Sequence, residues 1–115
     1  MVEIITTDEF VVWYDGLDED DTKAVVRVVD LLAARGVTLP FPYSPDIKGS
    51  EYVVRELRVQ SGGKPLRILY AFDPKRQAVL LLGTDKTGMS DKEFYATYVP
   101  QAEDLWKEYL QETRS

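Results

Sequence analysis

The sequence predicts a small α+β domain: an N-terminal strand and a helical hairpin packed on an antiparallel three-strand meander, followed by a C-terminal helix or helices. Three observations predict it. Apolar residues recur with helical spacing before and after a central block, and that block alternates with strand spacing between two segments of turn composition. Helix-capping residues stand at the boundaries. The 115 residues fit one domain, and folding a chain of this length buries roughly two-thirds of the surface its unfolded form exposes. Residues 1–115 therefore read as a single domain with no need of a disulfide or metal.

Val2 to Ile5 are a short β-branched run that suits a first strand. Thr7 can cap a helix with Asp8 and Glu9 in its first turn, and Phe10, Trp13, Tyr14 and Leu17 then fall on one face. Gly16 ends it. The acidic run Asp18 to Asp21 complements the positive end of a second helix, whose apolar stripe is Val25, Val28, Val29 and Leu32. Four consecutive carboxylates on one helical turn point in different directions, so capping explains this run better than a cation does. Gly36 is placed for a C-cap, and Pro40, Pro42 and Pro45 forbid continuation.

Glu51 to Gln60, Leu66 to Phe72 and Gln77 to Gly83 are the meander strands, joined through residues 61–65 and 73–76. Val53, Leu57 and Val59, with Leu66, Ile68, Tyr70 and Phe72, alternate onto one core face. The third run is apolar on both faces, as a buried strand would be. Ser90 to Glu93 matches a capping box and starts a helix. Pro100 should break or kink that helix before Ala102, Leu105, Trp106, Tyr109 and Leu110 resume the stripe.

The chain has no Cys and no His, which removes thiolate nucleophiles, disulfides and imidazole acid–base chemistry. Residues 1–8 are acidic where a secretory signal would be basic, and no run approaches a membrane span, so a cytoplasmic protein without membrane contact is expected. The net charge of −6 argues against a nucleic-acid partner, but its distribution is uneven. Residues 1–47 carry 3 basic and 10 acidic side chains, residues 48–92 carry 9 and 5, and residues 93–115 carry 2 and 5. The middle is a basic block with a net charge of +4.

A four-residue loop from Ser61 to Lys64 pairs Gln60 with Pro65 and puts Arg58 directly opposite Arg67, facing away from the core side. A loop from Asp73 to Arg76 pairs Phe72 with Gln77 and sets Arg67 opposite Leu82, with Lys64 and Lys86 at one end. Two opposed arginines are unfavourable unless an anion separates them. That anion is either a bound phosphate or Glu56, two residues from Arg58 on the same face. Gly62-Gly63 lacks phosphate-loop spacing and reads as a hairpin turn, and the aromatic helix positions read as core.

The order of these segments resembles the RelE/ParE superfamily of toxins from bacterial toxin–antitoxin pairs, and within it the HigB-like branch. The resemblance rests on Thr6 to Glu9 with Trp13, Glu56-Leu57-Arg58, the run Pro65 to Pro74 with Arg76, and the Leu-rich strand ending at Gly83. Asp85 to Gly88, Phe94-Tyr95, and Val99 to Ala102 leading to Leu105 complete it. It implies a RelE-like fold and an endoribonuclease that cuts mRNA in the ribosomal A site, held inactive by a cognate helix-turn-helix antitoxin. No cofactor is expected.

By that resemblance Arg67 holds the scissile phosphate, Lys86 is the basic residue after the last strand, and Tyr95 is the C-terminal aromatic that stacks on a base or assists proton transfer. Arg58 joins them as a catalytic candidate. Lys64, Arg76 and Lys48 are the candidate RNA-binding residues. Cleavage by the ribose 2′-hydroxyl requires charge stabilisation of a pentacoordinate phosphorane, which Arg67 and Arg58 can supply, and a proton acceptor. Some members of the superfamily use a histidine; here the acceptor would be Glu56, Tyr95 or a lysine of depressed pKa. The superfamily also contains ParE-type gyrase poisons without nuclease chemistry. A non-catalytic binding module of phage or plasmid origin, with its acidic third against a basic protein, is the third reading. The antitoxin is expected to cover the basic sheet surface or the helices beside it.

Overall fold

The computed structural model describes residues 1–45 and 54–114. Strand β1 (Ile4–Thr6) leads into α1 (Asp8–Asp15) and α2 (Glu19–Arg35), and a 3-10 turn (Gly36–Thr38) follows. Strands β2 (Arg55–Ser61), β3 (Lys64–Phe72) and β4 (Ala78–Asp85) precede α3 (Asp91–Glu112). The helices start where the capping residues stand. Thr7, Asp18 and Ser90 each accept a backbone N–H of the first turn, from Phe10, Asp21 and Glu93 respectively. Gly36, at φ 57°, closes α2 with a bond to the Leu32 carbonyl, a backbone conformation glycine adopts without a β-carbon penalty.

The sheet has the order β1-β4-β3-β2, with β1 parallel to β4 and the meander antiparallel. It carries a helical layer on each face. On one side α1 and α2 bury Phe10, Val25, Val28 and Leu32 against Leu57, Val59, Leu66, Ile68, Tyr70 and Leu80. On the other, α3 buries Phe94, Val99, Ala102 and Trp106 against Leu69, Ala71, Val79, Leu81 and Leu82. Strand β4 lies between β1 and β3, which is why it is apolar on both faces. The expected core face is present on the hairpin side; Val53 lies outside the described residues.

Several expectations are corrected. The first strand sits at Ile4–Thr6, shifted from Val2–Ile5 because it is placed by pairing with Ala78 to Leu80. Pro100 does not divide the C-terminal helix: α3 runs unbroken through it. The ring costs one backbone bond, but Phe94 and Val99 before it and Ala102 and Trp106 after it are buried on one face, which keeps both halves packed against the sheet. The first meander turn is only Gly62-Gly63, both at positive φ, with Ser61 paired to Lys64, so the predicted register survives in a tighter turn.

The second register differs. Asp73 and Gln77 close the β3–β4 turn, Phe72 pairs with Ala78, and an irregularity beside Leu69/Tyr70 leaves Leu81 as an extra residue on β4. Arg67 therefore lies opposite Thr84, not Leu82. Two one-residue shifts add to two, so Arg67 keeps its predicted face.

Candidate functional site

Strand pairing sets Arg58 directly opposite Arg67 on the α3 face of the sheet, as the hairpin count predicts. Glu56 lies two residues before Arg58 on the same face, and its side chain has 0% exposure. Its Oε2 is 2.9 Å from Arg67 Nε and 3.5 Å from Arg58 Nε. The Arg67 contact is off the hydrogen-bond line, so it acts as a Coulombic contact, while Arg67 Nη1 donates to the Leu66 carbonyl at 3.0 Å. Glu56 Oε1 accepts the Tyr95 hydroxyl at 2.7 Å. Of the two anions that could separate the arginines, the protein supplies its own carboxylate.

The first turns of α3 bring the remaining groups. Tyr95 reaches Glu56 because Ser90 starts the helix beside the end of β4. Lys86, just past β4, has its Nζ 3.0 Å from Asp91 Oδ1 and 3.0 Å from the Met89 carbonyl. The Lys86 ammonium first, with the fields of Arg58 and Arg67 adding to it, holds the Asp91 carboxyl below its usual range. Burial works against the Arg58 charge, but Glu56 and the Tyr95 oxygen outweigh it and raise the guanidinium above its ordinary value. Burial, then the bond to Glu56, raises the Tyr95 phenol, so it stays protonated at neutral pH.

The structure thus brings together Arg58, Arg67, Glu56, Tyr95 and Lys86, and separates them from the other candidates. Lys64 shares an end of the sheet with Lys86 but turns to the opposite face, where its ammonium pairs with Asp21 and lies 3.7 Å from Asp18. Ser61 also donates to Asp21, which is buried. The acidic run caps α2 and also anchors the first hairpin turn. Arg76, at φ 62° in the β3–β4 turn, lies at the other end of the sheet beside Met1, Val2 and Arg35. Lys48 lies outside the described residues.

Asp91 is the site residue that the sequence reading does not find. It stands in the capping segment, and only the fold shows that the residue after the N-cap is held against Lys86. Among the described residues no cluster of carboxylates could hold a metal ion, and no helix is long and apolar enough to cross a membrane. Chemically, the cluster offers two guanidiniums in register and an ammonium at the rim, near the amino end of a long helix. That arrangement favours an anion with several oxygens.

Residues 12–107 match the family described as "Phage derived protein Gp49-like (DUF891)". The chain is 38% identical over 99 residues to "Putative toxin HigB3" of Mycobacterium tuberculosis (strain ATCC 25618 / H37Rv), covering 85% of this chain and 84% of that protein. It is 33% identical over 100 residues to "Putative toxin HigB2" of the same organism, covering 85% of this chain but 49% of that protein.

Proposed function

The chain belongs to the Gp49-like family of RelE/HigB-type toxins, and from that premise we propose that it cleaves mRNA on the ribosome as the toxin of a toxin–antitoxin pair. The observation that carries the reading is the opposed pair Arg58 and Arg67, with Lys86 at the rim, on one face of the sheet. A scissile phosphodiester bound there meets two planar, permanently charged donors, suited to bidentate contact with phosphate oxygens. As the 2′-hydroxyl attacks, the phosphorane gains a second negative charge, and donors already in place stabilise it without reorganising. Lys86, held by Asp91 and the Met89 carbonyl, adds a third fixed positive charge at the rim. The partner in the resting state is a cognate antitoxin.

The test is cell-free translation with added protein, comparing wild type with Arg67→Ala and Lys86→Ala while mapping mRNA ends by primer extension. Circular dichroism checks that each variant is folded, because Arg67 is largely buried beside Glu56. New ends that require ribosomes, and that fall at least 100-fold in folded Arg67→Ala, support the reading. Absence of new ends with folded wild-type protein refutes it. A gyrase supercoiling assay in parallel then separates a gyrase poison from a binding module.

A further inference from the structure

We propose that Glu56 is a positioning residue that aims Arg58 and Arg67 at the phosphate, and that it does not accept the proton from the attacking hydroxyl. The proposal rests on reading the cluster as a phosphate site. Glu56 has the residue type of a general base, but its placement argues otherwise. A base must come within hydrogen-bond reach of the proton it removes, and Glu56 has no exposed surface. Both of its oxygens are occupied: Oε1 by the Tyr95 hydroxyl, Oε2 by the Nε sides of the two arginines.

Those contacts have a direction. Contact at Nε leaves the Nη end of a guanidinium for other partners, and in Arg67 one of these atoms, Nη1, donates to the Leu66 carbonyl, which fixes that end as well. Without an anion between them, two arginines directly opposed across a ladder repel and splay apart. With Glu56 beneath, the three groups carry a net charge of +1, matching one phosphodiester monoanion. The carboxylate therefore fixes the spacing of the guanidiniums and lowers their charge to that of the ligand. Tyr95 completes the device by pinning Oε1, so that the carboxylate cannot rotate away from the arginines. A phenol whose proton is directed at Glu56 is likewise unsuited to act as the base.

The experiment pairs a structural readout with an activity readout. Nitrogen-15 NMR of the folded wild-type protein should show two arginine Nε–H resonances outside the exposed-arginine envelope, that of Arg58 through its bond to Glu56 and that of Arg67 through burial against the same carboxylate, assigned by Arg58→Lys and Arg67→Lys. Both should collapse into the exposed-arginine envelope in Glu56→Gln, which keeps the shape but removes the charge. Tyr95→Phe, which leaves the buried charge intact, should broaden or shift them, and so serves if Glu56→Gln fails to fold. Titration with inorganic phosphate should then give at least tenfold weaker binding in either variant.

On programmed ribosomes, Glu56→Gln should raise KM and lower kcat by about 100-fold, the cost of misplacing a charged group by about 1 Å, while the pH–rate profile keeps its acidic limb. Loss of that limb with KM unchanged would make Glu56 the base and overturn the proposal. So would retention of both resonances and of phosphate affinity in Glu56→Gln. Wild-type protein that binds phosphate but cuts no RNA would defeat the nuclease reading and leave the positioning role standing on the resonances.

Discussion

Gly83 offers a sharp test of how the helical hairpin is seated on the sheet. A β-carbon built there would lie 2.2, 2.4 and 2.6 Å from three atoms of the Trp13 indole, against about 3.4 Å for ordinary van der Waals contact. Gly83→Ala thus requires the ring to retreat by about 1.2 Å. The indole is rigid and already packs against Phe10, with ring centroids 5.7 Å apart, so the shift passes into the α1 side of the core. Overpacking of this kind costs 1–3 kcal/mol, and a clash against three ring atoms belongs in the upper half, about 2–3 kcal/mol. For a chain of this size that lowers Tm by roughly 8–15 °C. The assay is thermal and urea unfolding of wild type, Gly83→Ala, Trp13→Leu and the double variant. In the Trp13→Leu background the alanine should cost less than about 0.5 kcal/mol, a coupling of 1.5 kcal/mol or more. Equal cost in both backgrounds would refute the reasoning, as would a penalty below about 0.5 kcal/mol in wild type.

Two predictions concern pH. The Lys64 ammonium, then the Ser61 hydroxyl, depress the Asp21 carboxyl despite its burial. A depressed carboxyl stabilises the fold above its unfolded value near 3.9 and loses that contribution as pH falls through the folded value. Asp21→Asn should therefore lower Tm at neutral pH and flatten its decline below about pH 4, seen in melts across an acid series. At the far end of the sheet, burial and the 2.8 Å bond to Asp73 push the Tyr109 phenol up to about 12. Here the neutral form is favoured, so stability is full below about pH 10 and is lost as pH rises toward 12. Tyr109→Phe should remove the last step of the tyrosinate absorbance titration; an unchanged final step would disprove the assignment.

What could be read from the sequence was local or periodic. The capping residues Thr7, Asp18 and Ser90 and the stripe Val25, Val28 and Leu32 declare themselves within one or two helical turns. The Arg58–Arg67 pair was legible because a loop centred on Gly62-Gly63 gives the same register whether it is four residues long, as expected, or two, as found, and the pair lies within a few residues of it. The β3–β4 register was not legible. The extra residue at Leu81 lets both Leu81 and Leu82 face α3 while Gly83 slides beneath Trp13, a choice made by contacts some 70 positions apart. The same limit hid the parallel partner of β1, the pairing of Lys64 with Asp21, and the persistence of α3 through Pro100. Each depends on what the fold sets opposite a residue, not on its neighbours along the chain.

The pairing of β1 with β4 also orders assembly in time. Thr7 Oγ1 donates to the Leu81 carbonyl across 74 positions, so the first strand waits for the last one before it can join the sheet. The β2–β3 hairpin closes around two glycines, a microsecond event that needs nothing distant. Contacts of long sequence separation form more slowly. At synthesis rates of roughly 5–20 residues per second, α1 and α2 emerge seconds before the sheet that covers Phe10 and Leu32. Glu56, moreover, meets Tyr95 only after another 39 residues have been made. A nascent chain therefore holds its arginines well before it holds them in place, and the cluster around Glu56 is among the last parts of the molecule to be completed.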